Sequence, residues 1–311
     1  MANNPKVVIL GAGMSAIACA KNLPASFDVE LYEKSRGVGG RLCARRHQKT
    51  RFHFGAQFCT ATTPSFKNFL ELSHAQNFHG PLFNVGEEKV EDTKNYYVHP
   101  DGMHALLRPY RDALNIQFEM RACEVNVSDQ TVVFNNDLTV PYDILISSLP
   151  LPQSETLIEF PAAPKNSFLP CIAVGLMMAE SNANKYNAFK NVSKDISWMG
   201  SSKFFNPALE ETWVIQFSPK GSQRLAAEPD QKLIELSLRC LESVTNDKIK
   251  VKDSSVFRWK YAQCGRSTQD QMFTKIAHNI FAIGDWHISS RVESAFLSGK
   301  TLAEFLSNKR P

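Results

Sequence analysis

No C-x-x-C pair occurs in this 311-residue sequence, and its cysteines number seven, an odd count. That excludes a small secreted fold stapled by disulfides and points to reduced thiols in a cytoplasmic protein. Long apolar runs are also missing. The longest, Cys171–Ala179, falls far short of the ~20 residues that cross a bilayer, so no membrane partner is expected. The apolar run near the N-terminus, Val7–Leu10, is too short for a signal peptide and reads as a strand. Neither sign of charge prevails: 35 basic and 31 acidic residues leave a net charge of +4, so nothing pulls the whole chain toward nucleic acid. His74/His79 and His99/His104 repeat as H-x4-H, but without paired cysteines nearby they imply no metal site. There are no internal repeats and no low-complexity linker. What remains is a 43% hydrophobic chain, long enough for one large domain or two ordinary ones.

The most informative stretch is the first forty residues. Four bulky apolar residues, Val7–Leu10, have the composition of a strand buried on both faces of a parallel sheet. Gly11-Ala12-Gly13-Met14-Ser15-Ala16 follows at once and turns strand into helix. Gly11 suits a tight turn, Gly13 lets backbone approach a pyrophosphate, and Ala16 keeps the helix close to the sheet. The free N–H groups of such a helix start favour phosphate. Pro24 ends the helix by about Leu23. A second strand, Asp28–Tyr32, leads to Glu33, about twenty residues beyond Gly13, where an acid accepts hydrogen bonds from a ribose. The chain continues Lys34-Ser35-Arg36-Gly37-Val38-Gly39-Gly40-Arg41.

Further along, Arg45, Arg46, His47, Lys49 and Arg51 form a basic stretch. It reads either as charge facing a pyrophosphate or anionic substrate, or, preferred here, as a solvated loop. Phe52–Phe58 alternates like a strand, with Gly55 marking close approach of a ligand. Thr63-Pro64 caps a helix with Phe66, Phe69 and Leu70 inward. Gly80–Lys94 reads as short strands of a separate layer. Asp101-Gly102 opens a helix with Met103, Leu106 and Leu107 inward. Strands are expected near Gln117–Val127, Thr131–Phe134 and Ile144–Ser148, then at Ser167–Glu180, Ser197–Phe205 and Thr212–Phe217. A helix from Asp230 carries Leu233, Leu236, Cys240, Leu241 and Val244 on one face. Val256–Ala262 alternates Phe257, Trp259 and Tyr261 against Arg258 and Lys260, and such an aromatic face is core unless it borders a cavity. Strand Asn279–Ile283, the turn Gly284-Asp285-Trp286 and helix Arg291–Leu306 return to the opening style, so the nucleotide domain is expected to be discontinuous.

Glycine fingerprint, Glu33, KSRGVGGR and the late strand–GDW–helix unit together resemble the two-dinucleotide-binding-motif flavoproteins related to amine oxidases. Within that group, EKSRGVGGR, FGAQF, RWKYA and GDWHISSRVESAFLSGKTLA look most like bacterial renalase-like proteins. The resemblance spans nearly the whole chain and is diffuse between about Phe160 and Asp253. It implies an α/β fold, with a Rossmann-like FAD-binding domain and a second, substrate domain on a mixed β-sheet, as in p-hydroxybenzoate hydroxylase and amine oxidases. Residues 1–78, 96–160 and 265–311 would form the first, and residues 79–95 and 161–264 the second.

By the same resemblance the cofactor is FAD. Gly11, Gly13, Met14, Ser15 and Ala16 would hold its pyrophosphate, Glu33 and Lys34 the adenosine ribose region. Gly40, Arg41 and Leu42 would wrap the pyrophosphate, and backbone at Ala122 would meet the adenine. Gln57, Gly284 and Asp285 would lie along the ribityl and flavin region. Arg291 and Val292, at a helix start, would stabilise charge at the flavin N1–C2=O edge. Relatives usually carry glycines where this chain has Ser289, Ser290 and Ser294. Relatives oxidise dihydronicotinamide isomers, non-productive forms of NAD(P)H, and pass electrons to O2. Gln57, Phe58, Trp259, Tyr261, Trp286 and His287 are the candidate substrate-pocket residues. An amine oxidase or desaturase, or a flavin-binding protein without turnover, are the alternatives.

Overall fold

A computed structural model describes residues 4–47, 50–78, 82–85, 90–91, 95–160, 167–180, 186–265, 267 and 271–308. Lys49, His79 and Gly80, singled out above, lie outside these residues. Two sheets dominate. The first has six strands in the order Thr274–Lys275, Ile280–Ala282, Ile144–Ser147, β1 (Lys6–Leu10), β2 (Asp28–Glu33) and Ile116–Phe118. All pair in parallel except the edge strand Thr274–Lys275. β1 reads Val7 to Ile9 without a polar break because both faces are covered, and all three are fully buried. It sits between β2 and Ile144–Ser147, where the strand order reverses, so its C-terminal end is the crevice at which open α/β sheets bind ligands.

Helix α1 (Met14–Asn22) leaves that end, and the C-terminal helix Val292–Asn308 packs against it. Gly299 makes the contact possible: a Cβ there would collide with the Ser15 carbonyl. First and last helices thus share one core with β1, Phe281 and Ile283.

The second sheet is mixed and has seven strands, with the long strand Val251–Cys264 at one edge and Phe168–Met178 paired beside it. The short strand Leu82–Asn84 joins it by pairing in parallel with Ala188–Lys190. Helix Asp230–Thr245 covers one face through Leu233 and Leu241. A two-stranded ribbon, Arg45–His47 with Thr50–Phe52, bridges the sheets: Phe52 lies where a side chain at Gly175 would otherwise be.

Two expected strands differ. Gln117–Val127 is two strands in different sheets, Ile116–Phe118 beside β2 and Ala122–Asn126 in a three-stranded meander. The break is Glu119, at φ +61°, a left-handed turn no periodicity announces. Phe52–Phe58 is strand only to Phe52. Beyond it, Gly55 and Ala56 donate their N–H groups to Cys43 and Arg41, so the segment follows the glycine loop instead of a ladder. Gly55 approaches the chain closely, since a Cβ there would strike the Arg41 carbonyl, and it also lines the cleft described below. The helix expected from Asp101 is a 3-10 turn, Met103–Leu107, with its three apolar residues buried as read.

All seven cysteines are free thiols. Burial pushes the Cys19 thiol up to about 12. Among the described residues no helix is long and apolar enough to cross a membrane.

Candidate functional site

One cleft of about 2230 Å³ runs from the C-terminal end of β1 to the edge of the seven-stranded sheet. Pockets for small ligands span about 300–1,000 Å³, so this larger space suits an extended dinucleotide with room for a second ligand. At one end lie Gly11, Gly13, Met14, Ser15, Glu33 and Lys34. A Cβ built at Gly13 would meet nothing within 4 Å, so that backbone faces open cleft. Gly40, at φ +53°, brings the second glycine loop to it, with Gly13 Cα 3.4 Å from where a Gly40 Cβ would stand. Gly39 closes the two loops by donating to the Ala12 carbonyl at 3.0 Å. The start of α1 thus opens onto a cradle made of backbone, the arrangement that binds a pyrophosphate.

Glu33 is 7% exposed, and its carboxylate already accepts the N–H groups of Ala12 at 2.9 Å and Ser35 at 2.8 Å. Each oxygen keeps a lone pair for a ribose hydroxyl. The acid therefore sets the shape of the loop as well as facing the cleft, and the residues present fit a dinucleotide.

Arg41 and Asp285, read as separate cofactor contacts, meet each other. The guanidinium forms a two-pronged ion pair with the carboxylate and also donates to the Ala262 carbonyl at 3.2 Å. Burial works against the arginine's charge, yet Asp285 outweighs it and raises the pKa further. This pair clamps the glycine loop to the turn before the C-terminal helix, and both residues line the cleft with Leu42, Arg291 and Val292.

The far wall is aromatic. Phe257, Trp259 and Tyr261 line the cleft, with Phe58 and Tyr96 packed edge to face at 4.5 Å. The alternating strand thus borders a cavity. Trp259 is fixed by donating its indole N–H to the Phe54 carbonyl at 2.9 Å.

Other candidates sit elsewhere. Gln57 is buried off the cleft wall, its amide spent on the carbonyls of His53 and Gly55. Trp286 is fully buried in a core with Leu151 and Ala282. His287 is 3% exposed, bonded to the Gly284 carbonyl and the Thr274 hydroxyl, and burial pushes its pKa down to about 4. Ala16 is interior to α1, Gly284 packs on the Trp286 ring and Ala122 packs in the core around Tyr32 and Phe134. None of these six lines the cleft. They support it from behind.

Sequence reasoning missed Gln216, whose amide reaches the Gly55 carbonyl at 2.8 Å from the cleft wall. A lone amide within the apolar strand Thr212–Phe217 was the available signal. It also missed Glu293, which binds the backbone and hydroxyls of Thr62 and Thr63. The aligned serines do interact, Ser289 with Ser294 at 3.1 Å and Ser290 with the Cys264 N–H at 2.6 Å.

Residues 9–72 match the family described as an NAD(P)-binding Rossmann-like domain. The whole chain is similar to solved structures of low identity. One is a provisionally assigned protoporphyrinogen oxidase from Exiguobacterium sp. 255-15, at TM-score 0.77 and 10% identity over 98% of this chain and 99% of that one. Another is a redesigned putrescine oxidase, at TM-score 0.73 and 12% identity over 98% and 99%. A Pyrococcus furiosus protein matches at TM-score 0.64 and 11% identity over 97% of both chains. At such identities the likeness concerns architecture, and it spans both sheets and the cleft between them. The chain shares its overall architecture with these solved structures.

Proposed function

We propose that the chain is an FAD-dependent oxidase acting on a dihydronicotinamide isomer, with O2 as electron acceptor. The supporting observation is that one cleft joins a backbone cradle for a dinucleotide to an aromatic strand wall. FAD, when bound, supplies hydride acceptance from an electron-rich ring and electron delivery to O2, giving NAD(P)+ and H2O2. Gly13, Gly40 and the start of α1 hold the pyrophosphate, and Glu33 the ribose. Arg291 and Val292, at the start of the C-terminal helix, line the same cleft, and the positive end of a helix dipole favours negative charge there. Trp259, Tyr261 and Phe58 orient a flat substrate ring and exclude water. Residues 1–78, 96–160 and 265–311 form the cofactor domain in this reading, and residues 79–95 and 161–264 the substrate domain.

The putrescine oxidase likeness favours a second reading, an amine oxidase. The charge of the cleft opposes it. Eleven basic side chains line the space against Glu33, Glu119 and Asp285; Arg36, Arg41, Arg108 and Arg258 are ion-paired, which leaves seven cations outside these pairs. An ammonium 4 Å from one uncompensated cation costs about 4 kcal/mol at an effective dielectric of 20.

The purified protein should show a flavin spectrum. Anaerobic mixing with dihydronicotinamide isomers should bleach it rapidly, while putrescine and simple amines should leave it oxidised. The reverse pattern overturns the substrate assignment, and a protein that cannot be reconstituted with FAD overturns the oxidase. Glu33→Ala should weaken FAD retention by about 1.5–3 kcal/mol, because a charged acceptor is lost. Glu33→Gln should cost less, since one oxygen still accepts.

A further inference from the structure

The arginines of the bridging ribbon divide between its two faces. Arg45 and Phe52 are register partners, as are Arg46 and Arg51, and His47 and Thr50. Side chains alternate along each strand, so Arg45, His47 and Phe52 share one face. That face is committed to the seven-stranded sheet: Arg45 lies 4.0 Å over the Phe257 ring, His47 hydrogen-bonds Asp253 at 2.8 Å, and Phe52 covers Gly175. Arg46 and Arg51 are left directly opposite one another on the other face, and both line the cleft.

Like charges directly opposite on paired strands are destabilising. Several other arginines meet acids, as in Arg108–Asp101, Arg224–Asp195 and Arg258–Asp230. Among the described residues no acid pairs with Arg46 or Arg51. Two imidazoles, one buried and one half-buried, complete the surroundings. His53 is 6% exposed, and His104 lines the cleft beside Gly39. The Nδ1 atoms of both are buried and have no hydrogen-bond partner among the described residues. Burial keeps both rings neutral, and Arg51 reinforces this, so they add no charge to the pair while leaving N–H groups to donate.

We propose that Arg46 and Arg51 form a phosphate-binding subsite of the cleft. Two guanidinium forks side by side match the oxygens of a tetrahedral phosphate, which accepts charge-assisted hydrogen bonds from each. The phosphate belongs either to the cofactor's pyrophosphate or to a second ligand beside it. The inference rests on the proposed dinucleotide cleft, but the binding it describes needs no turnover.

Inorganic pyrophosphate is the probe, titrated calorimetrically into the full-length, flavin-loaded protein. The doubly substituted R46Q/R51Q protein is compared with R239Q, which removes an arginine from the exposed Arg239–Glu235 pair. If the phosphate is a second ligand's, the loaded wild type and R239Q bind pyrophosphate, and the double variant binds it at least tenfold more weakly. If it is the cofactor's, the loaded wild type ignores pyrophosphate, and the double variant loses FAD at least tenfold more readily on dialysis. Pyrophosphate affinity and FAD retention both within twofold of wild type overturn the subsite. Should the double variant fail to fold, R46Q alone, at an exposed position, is read the same way. A chain that takes up no FAD but binds pyrophosphate through these arginines sinks the oxidase reading and keeps the subsite.

Discussion

Three histidines carry a consequence for pH at the scale of single residues. Burial holds His53, His104 and His287 well below the ordinary imidazole value, at about 3, 4 and 4. In the unfolded chain each binds a proton near pH 6.5, whereas the folded chain does not until much lower pH. Above pH 6.5 none of them costs stability. As pH falls from about 6.5 toward 4, the unfolded state gains protons the folded state refuses, so stability is lost at about 1.4 kcal/mol per pH unit for each ring. The expected outcome is a thermal midpoint that declines over this window, with a shallower decline in His287→Gln, which keeps a bonding amide in place of the titrating ring. An unchanged slope contradicts the assignment. His287 also shows where legibility ended at this scale. It is a substrate-pocket candidate by sequence, but the 3-10 turn at Asp285–His287 aims Asp285 at the cleft and tucks the imidazole behind it. Which way a turn aims its side chains is not written in residue order.

Elements were legible where local chemistry decides them. Thr63 caps helix Pro64–Leu72 by accepting the Phe66 N–H, as the Thr-Pro signature implies. What holds that cap was not local. Glu293, in the first turn of the C-terminal helix, accepts both N–H groups and both hydroxyls of Thr62 and Thr63 from 231 and 230 residues away. Burial opposes the charge of Glu293, but the donors of Thr63 and Thr62 outweigh it and hold the carboxyl below its ordinary value. Glu293→Gln keeps the shape and removes the charge, and should cost about 1.5–3 kcal/mol in a urea titration, the worth of hydrogen bonds to a charged group. Because the carboxyl is depressed, its contribution is full above the unfolded-state pKa and fades as pH falls through the folded one. The gap between wild type and variant should therefore narrow in acid. A gap that widens in acid contradicts the account. The strand expected over Gln117–Val127 failed at this same scale, since one left-handed residue, Glu119, sends its two halves to different sheets.

For the whole molecule, the sequence shows the start and end of the chain as matching strand–turn–helix units, and the structure joins them through one missing side chain. Gly299 lies against the Ser15 carbonyl, so α1 and the C-terminal helix touch backbone to side-chain-free backbone, and the starts of both helices line the cleft. Nothing in the local pattern of FLSGKTLA distinguishes this contact from any glycine on a helix face. Gly299→Val places carbon where a carbonyl oxygen stands, and backbone cannot yield as a flexible side chain would. Overpacking of this kind costs about 1–3 kcal/mol. The larger effect falls on the ligand, because prying the helices apart separates the two rims of the proposed cofactor site. A ligand bound only by the folded state at one hundred times its Kd adds about 2.7 kcal/mol. Wild type should therefore melt at rising temperature as FAD is added, whereas Gly299→Val should start lower and rise less at every FAD concentration. If the variant starts lower but gains as much from FAD as wild type, the helix contact serves stability alone, and the cleft does not depend on the joining of the chain's two ends.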